Sequence, residues 1–84
     1  MIYRIIYHED ASHDLEKISR NIQQKILKAV ESRLSRAPEI FGKPLRYSLK
    51  GLWSLRVGDY RVIYCIVKEE IIILRIGHRR EVYD

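Results

Sequence analysis

The period of the apolar positions changes twice along the chain. IYRIIY, residues 2–7, is rich in β-branched and aromatic residues and reads as a first strand. From Ala11 the spacing turns helical. Ala11, Leu15 and Ile18 recur on one face, with Asp10 available as N-cap and Glu9, Asp14 and Glu16 around the first turns. Ile22, Ile26, Leu27, Val30 and Leu34 continue the stripe on a second, longer helix, and Ser19-Arg20-Asn21 is the expected break. Pro38 closes the helical region, because its ring cannot continue the hydrogen-bond ladder. APEIFGKPLRYSLKG, residues 37–51, holds both prolines and two of the four glycines and reads mostly as loop. Three strand-like runs follow: LWSLRV, YRVIYCIV and IIILRI. Gly58-Asp59 joins the first two and Lys68-Glu69-Glu70 the last two.

This order, β-α-α-β-β-β, predicts an α+β fold with two helices on one face of a small antiparallel sheet, in a single domain spanning residues 1–84. A two-residue loop at Gly58-Asp59 pairs Val57 with Tyr60 and therefore Arg56 with Arg61. Alternation puts Trp53, Leu55, Val57, Tyr60, Val62, Tyr64 and Ile66 on the core face. Ser54, Arg56, Arg61, Ile63, Cys65 and Val67 fall on the opposite face. The register of IIILRI is open: a three-residue loop puts Arg75 on the arginine side, a two-residue loop on the other.

Composition narrows the class. With 46% hydrophobic and 32% charged residues the chain suits a soluble globular domain. At 84 residues it has a small core and a thin stability margin. One cysteine, Cys65, cannot form an internal disulfide, and the apolar start is too short for a signal peptide or spanning helix, so a cytoplasmic protein without membrane contact is expected. One cysteine and three scattered histidines give no metal-binding spacing, and no cofactor is implied. The net charge of +5 is uneven, with +1 over residues 1–42 (seven Lys/Arg, six Asp/Glu) and +4 over residues 43–84 (nine and five). That excess favours an anionic partner, nucleic acid before an acidic protein.

Like charges opposed across a ladder repel, so the Arg56–Arg61 pair calls for a reason. Two guanidiniums side by side make a good phosphate clamp, and their repulsion is relieved when an anion binds. The structural alternative is that both snorkel into water or are neutralised by Asp59, Glu69 or Glu70. The last strand runs into GHRREVYD, and in a meander its end lies beside Arg61. His78, Arg79, Arg80 and Tyr83 are thus expected to gather there. RNA can be cut without metal when the ribose 2′-hydroxyl attacks the neighbouring phosphate, given a base, cations for the developing charge and an acid for the leaving oxygen. Tyr83 or His78 could move protons while Arg56, Arg61 and Arg79 hold charge.

LRVGDYRVIY followed by ILRIGHRREVYD, with the earlier ASHDLEKI and GKPLRYSLKGLWSLRVGDYRVIY, resembles the RelE toxins of bacterial and archaeal toxin–antitoxin pairs, within the RelE/ParE superfamily. The resemblance covers nearly the whole chain. It implies a metal-independent mRNA interferase that cuts messenger in the ribosomal A site and is silenced by a cognate antitoxin, with operator DNA met only through the toxin–antitoxin complex. By position, it implies that Arg61 contacts the scissile phosphate and that Arg79 is the arginine after the last strand. Tyr83 becomes the C-terminal tyrosine of proton transfer or base stacking, and Arg46 a basic RNA-binding residue. Lys50, Arg56, His78 and Arg80 complete the candidate RNA-binding set. The best-known toxin of the family has two lysines in the strand before the hairpin, where this chain has Leu52 and Ser54. Arg56, Lys50 and His78 are the candidates to take over their work. A ParE-type gyrase inhibitor on the same fold and a degenerate module that mainly binds its antitoxin are the alternatives.

Overall fold

The computed structural model describes residues 2–46 and 51–78. Its elements are β1 (Arg4–Tyr7), α1 (Glu9–Glu16), α2 (Arg20–Ala29), α3 (Pro38–Phe41), β2 (Lys43–Pro44), β3 (Trp53–Val57), β4 (Tyr60–Val67) and β5 (Glu70–His78). The strands form one sheet in the order β1-β5-β4-β3-β2. Ala11, Ile26, Ala29, Val30 and Leu34 pack against Leu55, Val62, Tyr64, Ile71, Ile73 and Ile76, so the helices cover one sheet face as the alternation predicts. Trp53, Val57, Tyr60 and Ile66 join the margin of this core.

The sheet is antiparallel from β2 to β5, but β1 joins it in parallel, Tyr7 lying beside Ile73. An apolar run announces burial, not direction, and no turn links β1 to a partner so distant in sequence. This qualifies the expectation of a purely antiparallel sheet. A fifth strand, β2, comes from the region read as loop. It is only two residues long and ends on Pro44, a residue tolerated at a sheet edge.

The helix boundaries also shift. His8, not Asp10, caps α1: its Nδ1 accepts from the Asp10 N–H at 3.0 Å. An imidazole nitrogen can serve here as a hydroxyl would, because a single residue separates β1 from the helix. The break before α2 falls at residues 17–19, slightly earlier than expected. Gln23 secures it by donating through Nε2 to the carbonyls of Leu15 (2.5 Å) at the end of α1 and Ile18 (2.9 Å) in the break. Beyond α2 the helix widens into a π-helical stretch, Val30–Leu34. Ser32 Oγ donates to the Lys28 carbonyl at 2.8 Å and Ser35 Oγ to that of Glu31, a back-bonding that loosens a helix. Pro38 opens α3 rather than ending the helical region, since its missing N–H is no loss at a first helical position.

The end of α3 is locked to the sheet. The Tyr64 hydroxyl, fully buried, donates to the Pro38 carbonyl at 2.6 Å. Gly42 lies against it so closely that a Cβ there would stand 1.7 Å from Tyr64 Oη and 2.8 Å from Cζ. With φ at −97°, Gly42 is required for space, not for backbone conformation. Gly42→Ala is expected to destabilise by roughly 1–3 kcal/mol, an overpacking cost. Tyr64→Phe, which loses one hydrogen bond, should cost about 1 kcal/mol. Thermal unfolding of the two variants checks that order.

Candidate nucleic-acid interface

The β3–β4 hairpin has the register that its loop dictates. Val57 faces Tyr60, Arg56 faces Arg61, and Gly58 turns in the left-handed region at φ +61°. The face away from the helices is built from two rows. Lys43, Ser54, Ile63 and Arg75 succeed one another across β2, β3, β4 and β5, and the next row holds Arg56, Arg61 and Gly77. In the ladder Arg61 is flanked by Arg56 on one side and Gly77 on the other. Phe41, Lys43, Ser54, Arg56 and Arg61 line one cavity of about 300 Å³. Arg56 is exposed and its Nε donates to the Gly58 carbonyl at 3.3 Å, whereas Arg61 is half-buried. Ser54 is 7% exposed, and its buried hydroxyl makes no hydrogen bond among the described residues.

Among the sequence-predicted site residues, the structure brings Arg56 and Arg61 together. Arg46 is exposed just beyond β2, next to Leu45, whose N–H donates to the Leu52 carbonyl at 2.9 Å, and it does not line the cavity. Lys50, Arg79, Arg80 and Tyr83 lie outside the described residues. His78 does not join the arginines. Gly77 is the partner of Arg61, so His78, one residue on, faces the other way with Tyr60, their rings edge-on at 5.6 Å. It lines a second cavity with Asp14, Lys17 and Tyr60 on the helix side. The expectation that the His78 imidazole gathers beside Arg61 is corrected accordingly.

Arg75 follows neither simple register. The β4–β5 loop has two residues, Lys68 and Glu69, but an extra residue, Leu74, shifts the pairing so that Arg75 faces Ile63. Its guanidinium is nevertheless engaged elsewhere. Nε and Nη2 donate to the two carboxylate oxygens of Asp14 at 2.8 and 3.2 Å, and the Ile76 N–H adds a third bond at 2.9 Å. Burial pushes the Asp14 carboxyl up, but the Arg75 and Ile76 hydrogen bonds, with the charges of Arg75 and Lys17, outweigh it and hold it below its ordinary 3.8. Arg75 thus braces α1 against β5.

Two residues of the cavity escaped sequence reasoning: Phe41 and Lys43. Both fall in the stretch read as loop, and only the pairing of β2 with β3 brings them beside Ser54. Cys65 is half-buried, and burial pushes its thiol up, away from the nucleophilic form. Among the described residues no group of three or more His, Cys, Asp or Glu side chains could hold a metal, and no helix is long and apolar enough to cross a membrane.

The chain thus carries a basic cavity on the sheet face away from the helices, and comparison with known proteins gives its family. Residues 5–83 match the family described as the ParE toxin of type II toxin–antitoxin systems, parDE. The chain is 38% identical to Toxin RelG of Mycobacterium tuberculosis, over 99% of this chain and 98% of that one. It is 39% identical to Toxin RelE of the same organism, over 76% and 66%. Its fold is similar to that in the toxin–antitoxin complex RelBE2 of M. tuberculosis, with a TM-score of 0.87, 37% identity and coverage of 94% and 93%. It is also similar to that in the archaeal RelE–RelB complex of Pyrococcus horikoshii, with a TM-score of 0.69, 25% identity and coverage of 94% and 97%. The chain belongs to the RelE/ParE superfamily of type II toxin–antitoxin toxins.

The Asp14 pair makes stability acid-sensitive. A carboxyl with a lowered folded pKa contributes stability that is present above its unfolded value and lost as pH falls through the folded one. Asp14→Asn is expected to lower the thermal midpoint at neutral pH and to flatten its decline below about pH 4. Midpoints across an acid series check this; an unchanged acid limb would remove Asp14 from the account.

Proposed function

We propose that this toxin is a metal-independent endoribonuclease that cuts messenger RNA in the ribosomal A site. The ribose 2′-oxygen attacks the adjacent phosphorus, the bond from phosphorus to the 5′-oxygen breaks, and a 2′,3′-cyclic phosphate remains. A base takes the 2′ proton and an acid protonates the leaving 5′-oxygen. The observation that carries this reading is the opposition of Arg56 and Arg61 across the hairpin, lining one cavity with Lys43 and Ser54. Two permanent, fork-shaped cations lining one cavity suit the doubly charged phosphorane. Arg61 and Arg56 stabilise that charge. Arg79 adds to it and Tyr83 moves a proton or stacks on a base, roles that rest on the family resemblance. Arg46, Lys50 and Arg80 supply further attraction for the RNA backbone.

A cognate antitoxin keeps the toxin silent. Support comes from relatives solved as toxin–antitoxin complexes and from the cationic face, which an acidic or amphipathic segment would neutralise. Operator DNA is met through that complex alone, and the toxin works in the cytoplasm, where its ribosomal substrate is.

A second reading is gyrase inhibition. It is favoured by the ParE description of the matched family and by Leu52 and Ser54 where the best-known toxin has lysines. Inducible expression without antitoxin, with mapping of messenger 5′ ends and a gyrase supercoiling assay, separates the two. Cut messenger with normal supercoiling is the expected outcome, inhibited supercoiling with intact messenger supports the second reading, and growth without either effect supports a degenerate module. Arg61→Ala and Arg56→Ala are expected to lower cleavage about a hundredfold or more, in the range of other lost transition-state donors, while the fold persists. Wild-type cleavage by both variants would refute the site. In the same assay, a fully active Tyr83→Phe would leave only stacking for that ring.

A further inference from the structure

We infer that Phe41 and Lys43 form a nucleotide subsite of single-stranded RNA: the Phe41 ring stacks on a base, and the Lys43 ammonium, with the Ser54 hydroxyl, binds the phosphate beside it. The inference rests on the RNA reading above and deepens it.

Four observations carry it. Phe41 is a large aromatic residue left 51% exposed at the end of α3, on the rim of the arginine cavity. Exposed aromatics beside a cationic groove are what sequence-tolerant RNA binding uses, because every base offers a π-face. Lys43 is exposed and directly opposite Ser54 in the ladder, so a mobile ammonium stands next to the strand position at which this chain lacks a lysine. Ser54 is more than nine-tenths buried in the same cavity, and its hydroxyl has no hydrogen-bond partner among the described residues. Such a donor is costly to leave unmet and fits a phosphate oxygen. Finally, the segment is fixed: the Tyr64 hydroxyl on the Pro38 carbonyl and the close seat of Gly42 hold α3 to the sheet, so Phe41 and Lys43 are presented from an anchored turn.

The geometry also assigns a division of labour. Arg56 and Arg61 occupy one row and Lys43 and Ser54 the neighbouring row on the same face. A sugar–phosphate backbone crossing both rows meets paired guanidiniums at one phosphate and the ammonium and hydroxyl at the next. Phe41 then lies at the end where the adjoining base is splayed out. Substituting Lys43 should therefore weaken binding for all sequences, whereas substituting Phe41 should remove one base-stacking contact.

The test uses wild-type toxin freed from its antitoxin and an uncleavable 2′-O-methyl oligoribonucleotide, with binding read by fluorescence anisotropy at several salt concentrations. Phe41→Ala is expected to bind about tenfold more weakly and Phe41→Trp to bind like wild type. Lys43→Ala should reduce the salt slope by about one. Thermal midpoints should stay near wild type, since Phe41 is half-exposed and Lys43 exposed. Wild-type binding by Phe41→Ala and an unchanged slope for Lys43→Ala would overturn the inference and leave the nuclease reading standing. Phe41-dependent RNA binding by a protein that cuts no messenger would uphold the inference and sink the nuclease reading. Absence of any binding by wild type would overturn the inference, while the mapping of messenger 5′ ends decides the nuclease reading by itself. If the substitutions weaken antitoxin affinity alone, the surface belongs to the antitoxin and the inference is wrong.

Discussion

The register of the β3–β4 hairpin is the constraint on which the rest of the molecule depends. Side chains along a strand alternate with a period of two, so a slip of one residue would turn Leu55, Val62 and Tyr64 to solvent and drive Arg56 and Arg61 under the helices. Burying unpaired guanidiniums costs several kcal/mol, and exposing three large apolar side chains adds a comparable sum. The core thus enforces the like-charge contact. Repulsion between an exposed and a half-buried arginine is small beside what the apolar face gains, and the site inherits its geometry from packing on the opposite side of the sheet.

A second linkage joins the core to the rim of the cavity. Tyr64 stacks with Trp53 across the hairpin at 6.4 Å, and its hydroxyl reaches the Pro38 carbonyl. Burial, and to a smaller degree the charge of Glu39, pushes that phenol far above its ordinary range, so it stays a donor at any physiological pH. One side chain therefore fills the core, orders α3 and sets the path into β2. The two strongest constraints on the cavity, hairpin register and the α3 anchor, both pass through Tyr64.

Much of this was legible in the sequence because it follows from local rules. Strict alternation in LWSLRV and YRVIYCIV, with a Gly-Asp loop between them, determines faces and register without any structure. The 3.6-residue stripe from Ala11 to Leu34 likewise identifies the helical layer. Features that depend on distant contacts were not legible. β1 carries no mark of its parallel partner, β2 is too short for any period, and Leu74 looks like any other residue of an apolar run. The bulge decides the register at the end of β5: Gly77 rather than Ile76 comes opposite Arg61, which turns His78 to the side of Tyr60. Phe41 and Lys43 were hidden for the same reason, since only a two-residue ladder contact brings them to the site.

The Asp14 carboxylate has one more consequence, for the company the sheet can keep. Past Tyr7 the β1 neighbour has ended, and β5 runs on as a border strand whose amide hydrogens would otherwise invite a stray segment to zip alongside. By capturing the Ile76 amide, Asp14 blocks that seam. At the far border Pro44 has no amide hydrogen to offer. A small, sticky-cored protein is in this way discouraged from lengthening its sheet by recruiting copies of itself.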